Sequence, residues 1–190
     1  MTQSNGHPRG PSNPNRPDGP RRRPGPGRRP GPARRPAPSG PSEAKARQGP
    51  IGLRRVDGEV FELVHPPCVE ETDLDYQEGL EIWKAGEPEE ARDALRFALE
   101  GCPDNLWVHV ALGDLALKEF RDPRLAQGHY GYAFELGNRA LPPGFAGKLP
   151  RENAANRPFY DAASGLISCL RATGEGGEAD RLQGLVDRLR

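Results

Sequence analysis

From Thr72 to the end of the chain, glycine and proline divide the sequence into six segments that each have the spacing of an amphipathic helix. In the first pair, Thr72 precedes a segment that ends near Lys84, and Pro88 opens a second segment that ends at Gly101. Since one such helix cannot bury its apolar stripe alone, each pair predicts a helical hairpin. The four later helices start at Asp104 or Asn105, at Asp122-Pro123, at Asn156 to Pro158 and at Gly176-Gly177, and end near Glu119, Gly137, Thr173 and the C-terminus.

Small residues recur where the paired helices should touch, and Gly79 and Gly113 are 34 residues apart. The first two units carry this pattern at Gly79, Gly86, Ala91, Leu95, Ala98 and Pro103, and at Leu112, Gly113, Ala126, Tyr130 and Ala133. These residues resemble the tetratricopeptide repeat (TPR), a 34-residue helical hairpin. The third unit places Gly165 at the glycine position and keeps Ala179 and Leu182. The resemblance implies an all-α stack of three hairpins over 72–190, and FELVHPPCV followed by these helices also resembles bacterial TPR-containing proteins of unassigned activity.

Stacked helical pairs of this family leave a concave face lined by the first helix of each pair, and such faces bind peptides or proteins. We hypothesise that Lys84 and Lys118 flank an acidic or carboxylate group of a bound segment, with Trp83 and Tyr76 as apolar anchors. The alternative is two solvated lysines beside core aromatics. The resemblance assigns to this face Tyr76, Leu80, Trp83, Lys84, Val110, Asp114, Leu117 and Lys118.

The segment from about 138 to 156 is longer than an ordinary connection between helices, and it departs from the repeat. Phe145 and Leu149 could tuck it into the groove as a plug or as an edge of the binding site. The alternative is a linker without a function.

A two-stranded β-hairpin is predicted over 51–68. Asp57-Gly58 separates two alternating runs, 53–56 and 59–64, and this dipeptide favours a type I′ turn with positive φ at both residues. An isolated hairpin is marginally stable, so we expect it to pack on the helices that come next. Pro66 and Pro67 should end it.

Residues 1–50 form an arm of a different composition. They hold 13 of the 22 prolines and 8 of the 24 glycines, and they contain no aromatic residue. They carry 11 basic and 2 acidic residues, a net charge of +9, whereas the rest of the chain carries 16 basic and 25 acidic residues, a net charge of −9. Such a segment cannot bury enough surface to offset chain entropy, so it is predicted to be disordered.

The arginines of the arm favour contact with RNA or DNA phosphates through counterion release, without sequence preference. The alternatives are a solubilising tail, or an arm that folds onto the acidic body and regulates access to the groove. The residues proposed for nucleic-acid contact are Arg21, Arg22, Arg23, Arg28, Arg29, Arg34 and Arg35.

Cysteine, histidine and hydropathy patterns address location and chemistry. Three cysteines, Cys68, Cys102 and Cys169, are odd in number and widely spaced, which argues against disulfides and favours a reducing, cytoplasmic location. His65 with Cys68 is half of a zinc motif, but no second pair completes it. No signal peptide, membrane span, phosphate-binding glycine loop or nucleophile motif is apparent.

The sequence therefore predicts a non-catalytic TPR-like scaffold, without cofactor or metal, that holds a peptide or protein segment in a concave groove. A nucleic-acid-associated protein that binds RNA or DNA through its basic arm is the alternative. The partner's identity and the oligomeric state stay open.

Overall fold

The computed structural model describes residues 50–190. Helices make up 64% of these residues, and a two-stranded antiparallel hairpin precedes them. The strands are β1 (Gly52–Asp57) and β2 (Val60–Val64), and the helices are α1 (Cys68–Glu71), α2 (Asp73–Lys84), α3 (Pro88–Gly101), α4 (Leu106–Lys118), α5 (Pro123–Arg139), α6 (Arg157–Ala172) and α7 (Gly176–Leu189). In the described part of the chain, no helix has the length and apolar character needed to cross a membrane.

The predicted hairpin is present, but its turn differs from the expected one. Asp57 stays in β1, the turn residues are Gly58 and Glu59, and only Gly58 has a positive φ, of 48°. The pairing register shifts between Arg55 and Asp57, where the extra residue Val56 makes a bulge.

The six predicted helices are present with boundaries within about two residues of those expected from capping and proline signals. Asp122 caps α5 through its side chain, which accepts hydrogen bonds from the backbone N–H groups of Arg124 and Leu125. Asn105 caps α4 in the same way. The short helix α1 was missed, because four residues are too few to show a helical period.

Consecutive helices pack in pairs, and glycine permits the closest approaches. A Cβ atom at Gly79 would lie 2.8 Å from the Leu95 side chain, and one at Gly113 would lie 2.7 Å from the Tyr130 ring. Helix α2 packs on α3, α4 on α5, and α6 on α7, while α6 also packs on both α4 and α5.

Gly165 has a different role from the one that its place in the sequence pattern suggested. A Cβ atom there would lie 2.5 Å from the ring of Tyr130, which belongs to the preceding hairpin. Gly165 therefore faces α5 and not its own partner α7. The residue of α6 that shares a core cluster with Ala179 and Leu182 of α7 is Ile167, which is 5% exposed.

The hairpin packs on the C-terminal part of the domain and not, as expected, on the helices that follow it. Leu63 is buried in a core cluster with Phe159 and Tyr160 of α6 and with Val186 of α7. Asn156, which is 0% exposed, makes no helix-capping bond with its side chain but joins this cluster to the hairpin. The helical pattern of residues 72–105 predicts where helices form, but it does not predict which distant helices the hairpin contacts.

The insertion packs on the hairpin and on the C-terminal helix, so the prediction that Phe145 and Leu149 enter the groove is wrong. The Phe145 and Phe61 rings meet edge to face at 5.1 Å. Leu149 is fully buried, and its N–H donates to the carbonyl of Leu189 at 2.7 Å. Lys148 adds a short parallel bridge to β2 through Val60. The segment thus contributes Leu149 to the core and links the hairpin to the C-terminal helix.

Cys68 and Cys102 form a disulfide, so the prediction against disulfides is wrong. The two sulfur atoms are 2.12 Å apart and the Cα atoms 5.3 Å apart. The α2–α3 hairpin returns the chain beside its own start, which brings together two cysteines that are 34 residues apart in sequence. Cys169 is the free, buried thiol of the described part. Because disulfides are typical of oxidising compartments, the cysteine argument for a cytoplasmic location is removed.

Candidate functional site

Helices α2 and α4 run in the same direction and contact each other through side chains near both ends. At their N-terminal ends, Tyr76 of α2 and Trp107 of α4 line one pocket. At their C-terminal ends, the indole N–H of Trp83 donates to Glu119 Oε1 at 2.8 Å. We call the side that α2 and α4 present between these two contacts the α2–α4 face.

All eight residues assigned to the groove lie on α2 or α4, but their exposure differs. Tyr76 and Leu80 are half-buried and pack against the core cluster that contains Leu95. Val110 and Leu117 are also half-buried and pack against the cluster around Tyr130. These four apolar side chains therefore serve the core at least in part. The other four assigned residues are Trp83, Lys84, Asp114 and Lys118.

The C-terminal end of the face carries an aromatic and charged network. Asp114 accepts hydrogen bonds from the Tyr130 hydroxyl at 2.5 Å and from Lys118 Nζ at 2.6 Å. Lys118 Nζ also lies 5.6 Å from the centroid of the Trp83 ring, within cation–π range. Burial and the bond to Asp114 raise the pKa of Tyr130, so the phenol stays protonated and donates. A ligand carboxylate at Lys118 would compete with Asp114.

Lys84 differs from Lys118, although the two were predicted to be equivalent. It is exposed in the last turn of α2, and no ion pair involves it within residues 50–190. Its ammonium group is therefore available to an anionic group of a ligand, whereas Lys118 already has partners.

The N-terminal end of the face contains a pocket of about 380 Å³ with aromatic and acidic walls. Burial raises the pKa of Tyr76, and Asp73, Asp114 and Asp161 raise it further. The negative charges of α2, α4 and α6 thus act on the same phenol, and this end of the face favours cations. The pocket is lined by Val69, Glu70, Asp73, Tyr76, Gln77, Asn105 and Trp107.

Sequence reasoning missed Glu70 and Trp107 as residues of this surface. Trp107 lies one turn before Val110, so helical spacing could have placed it on the same face. Its ring lies against that of His65, with centroids 4.2 Å apart. Glu70 belongs to the short helix α1, and no periodic signal could have found it.

His65 and Cys68, the two residues of the half zinc motif, are bonded to other groups in the structure. Cys68 is in the disulfide, and His65 Nε2 donates to the carbonyl oxygen of Ala155 at 2.7 Å. In residues 50–190, no cluster of three or more His, Cys, Asp or Glu side chains has the geometry to hold a metal ion. Burial also raises the pKa of the Cys169 thiol, which disfavours the thiolate that a nucleophile needs.

The nucleic-acid positions lie outside the described residues. They are Arg21, Arg22, Arg23, Arg28, Arg29, Arg34 and Arg35.

Comparison of the chain with protein-family models, with curated proteins and with solved structures finds no match.

Proposed function

We propose that the chain is a non-catalytic, TPR-like scaffold whose α2–α4 face binds an extended segment of another protein. The observation that carries the proposal is the pairing of an aromatic, acidic pocket at one end of this face with two lysines at the other. Flat surfaces without pockets rarely anchor peptides, whereas an aromatic pocket with a few polar groups does.

The charges of the face favour one polarity for the bound segment. Glu70 and Asp73 would receive a lysine or arginine side chain between the rings of Tyr76 and Trp107, since cations are favoured by both carboxylates and aromatic faces. An acidic group of the same segment would then lie toward Lys84 and share Lys118 with Asp114. The segment would span about three turns of α2.

TPR-like stacking is part of this proposal. It is supported by the shared direction of α2 and α4, by the contact of α4 with α6, and by the glycine contacts at Gly79 and Gly113. A face built from the first helix of each hairpin would continue onto α6, where Asp161 acts on Tyr76.

The test is selection from a random peptide library displayed on phage against the immobilised full-length chain. We expect enrichment of a consensus with a basic and an acidic position separated by apolar residues. The synthesised consensus peptide should lose at least tenfold in affinity on Lys84→Glu/Lys118→Glu and on Glu70→Gln/Asp73→Asn.

Two variants of α3 serve as controls, of which the first matches the acidic pair in charge. Glu89→Gln/Glu90→Gln removes the same charge from the first turn of α3, and Phe97→Ala removes an exposed aromatic side chain from that helix. Neither should alter peptide affinity. Failure to enrich any consensus, or equal losses in the controls, would contradict the proposal.

A further inference from the structure

A second pocket lies between α3 and α5, with α4 as its floor, and has a volume of about 300 Å³. It shares no lining residue with the pocket of the α2–α4 face. The residues that line it are Arg92, Arg96, Leu112, Leu115, Ala116, Phe120, Leu125 and His129.

The floor of the α3–α5 pocket is aliphatic. Leu112, Leu115 and Ala116 of α4 supply it, and all three are nearly or fully buried. Leu125 of α5 stands at the side and is 45% exposed. A ligand with an apolar body would cover Leu125 and remove its side chain from water, which is favourable at about 25 cal/mol per Å².

The charged members of the lining are all basic. Arg92 and Arg96 lie one turn apart on α3, opposite His129 of α5, and no carboxylate lines the pocket. This contrasts with the net charge of −9 over the chain after residue 50. It also contrasts with the groove between α5 and α7, in which carboxylates of Glu135, Glu178 and Asp180 accompany Arg181 and Arg188.

The two arginines differ in their partners. Arg92 bonds to its neighbour Asp93 at 3.2 Å, and its guanidinium group lies 5.4 Å from the centroid of the Phe120 ring. Arg96 is exposed and takes part in no ion pair within the described range. Its positive charge acts on His129 across the pocket. Burial is the main cause that lowers the pKa of His129, to about 4, and the charges of His109 and Arg96 lower it further.

Within residues 50–190, the acidic groups close in sequence form no ion pair with Arg96. Asp93 bonds to Arg92 through one oxygen, and the carboxylate of Asp122 caps α5. A guanidinium group that lacks a carboxylate partner is a strong site for a planar anion, since it can donate two parallel hydrogen bonds.

We infer that the α3–α5 pocket binds a small organic carboxylate with an apolar body. The carboxylate would contact Arg96 and Arg92, and the apolar body would lie against Leu125 and Phe120, above the buried floor of Leu112, Leu115 and Ala116. This inference does not depend on peptide binding at the α2–α4 face.

The test compares octanoate with its neutral amide, octanamide, on the ¹⁵N-labelled full-length protein by NMR. Octanoate should give saturable shifts at the backbone amides of Leu112, Leu115, Ala116 and Leu125. Octanamide should bind at least tenfold more weakly, because it has the same apolar body without the charge. Equal affinities for the two compounds, shifts elsewhere, or no saturable shift would overturn the inference.

Substitutions of single arginines show which guanidinium group binds the carboxylate. Arg96→Gln should weaken octanoate at least tenfold and leave octanamide unchanged, and Arg92→Gln should do the same to a smaller extent. Arg124→Gln is the matched control, since Arg124 is exposed on α5 and does not line the pocket. Octanoate affinity that is unchanged by Arg96→Gln, or lowered as much by Arg124→Gln, would also overturn the inference.

Discussion

The side-chain carbonyl of Asn156 accepts a hydrogen bond of 2.9 Å from the backbone N–H of Leu63, 93 residues earlier in the chain. The same side chain donates to the carbonyls of Phe61 and Pro150, each at 3.1 Å. One buried amide thus joins β2, the insertion and the start of α6.

We expect Asn156→Ala to lower the free energy of unfolding by about 3 kcal/mol, because it leaves a buried N–H and two carbonyls without a partner. Urea denaturation monitored by circular dichroism measures this loss. Amide exchange at Leu63 should accelerate, whereas Asn153→Ala, in a partly exposed position of the same loop, should cost much less. Similar stabilities of the two variants would show that Asn156 does not join these segments.

The disulfide predicts a specific thiol count. Alkylation of the denatured protein without reductant should modify Cys169 alone, and alkylation after reduction should modify all three cysteines. Mass spectrometry distinguishes one adduct from three. Cys68→Ala/Cys102→Ala should also lower the free energy of unfolding by about 3 to 4 kcal/mol, as expected for a loop of this length. Three adducts without reductant, on protein purified in air, would contradict the disulfide.

Gly113 and Gly128 form a matched pair within helices. Gly113→Ala should destabilise the fold by about 1 to 3 kcal/mol, since its new Cβ would meet the Tyr130 ring at 2.7 Å. Gly128→Ala has open space and should stabilise α5 by about 0.5 to 1 kcal/mol. Thermal unfolding measures both. Stabilisation by Gly113→Ala would mean that α4 and α5 do not approach as described.

Buried histidines should make the fold sensitive to mild acid. His109 Nε2 donates to the Pro103 carbonyl at 2.9 Å. The lowered pKa of both rings favours neutral imidazoles, in which His109 Nδ1 accepts from His129 Nδ1 at 3.3 Å. Burial is the main cause that lowers the pKa of His65, His109 and His129, the last to about 4.

Since these folded pKa values lie below the unfolded value of about 6.5, the unfolded chain binds more protons as the pH falls. The stability that the neutral histidines contribute is present above pH 6.5 and is lost progressively toward pH 4. Urea midpoints at pH 7.5 and pH 5 should therefore differ, and His129→Gln should reduce that difference. A midpoint that does not change between these pH values would contradict the buried, neutral pair.

The sequence predicted the helices well because their boundaries are set locally. Pro88, Asp122-Pro123 and Gly86 act on the backbone beside them, and apolar spacing marks the buried stripes. The order and hairpin pairing of the helices follow from the same short-range signals.

What the sequence did not predict depends on contacts between distant segments. No periodic pattern relates the residues that form these contacts. They are the Cys68–Cys102 disulfide, the packing of Leu63 in the core cluster with α6, and the packing of Phe145 on Phe61. For the site, the resemblance assigned Trp83 and Lys118 to one face, whereas the ion pair that Lys118 makes with Asp114 required the structure. Glu70 belongs to the four-residue helix α1, and its place beside Trp107 of α4 required the structure.

The most direct test of the proposed binding face is a map of amide chemical shifts on the ¹⁵N-labelled full-length chain, titrated with the phage-selected consensus peptide. The account predicts the largest shifts along α2 and α4, from Asp73 and Trp107 to Lys84 and Lys118, and little change at Phe97 of α3. Shifts concentrated on α3 and α5, or within residues 1–49, would contradict it.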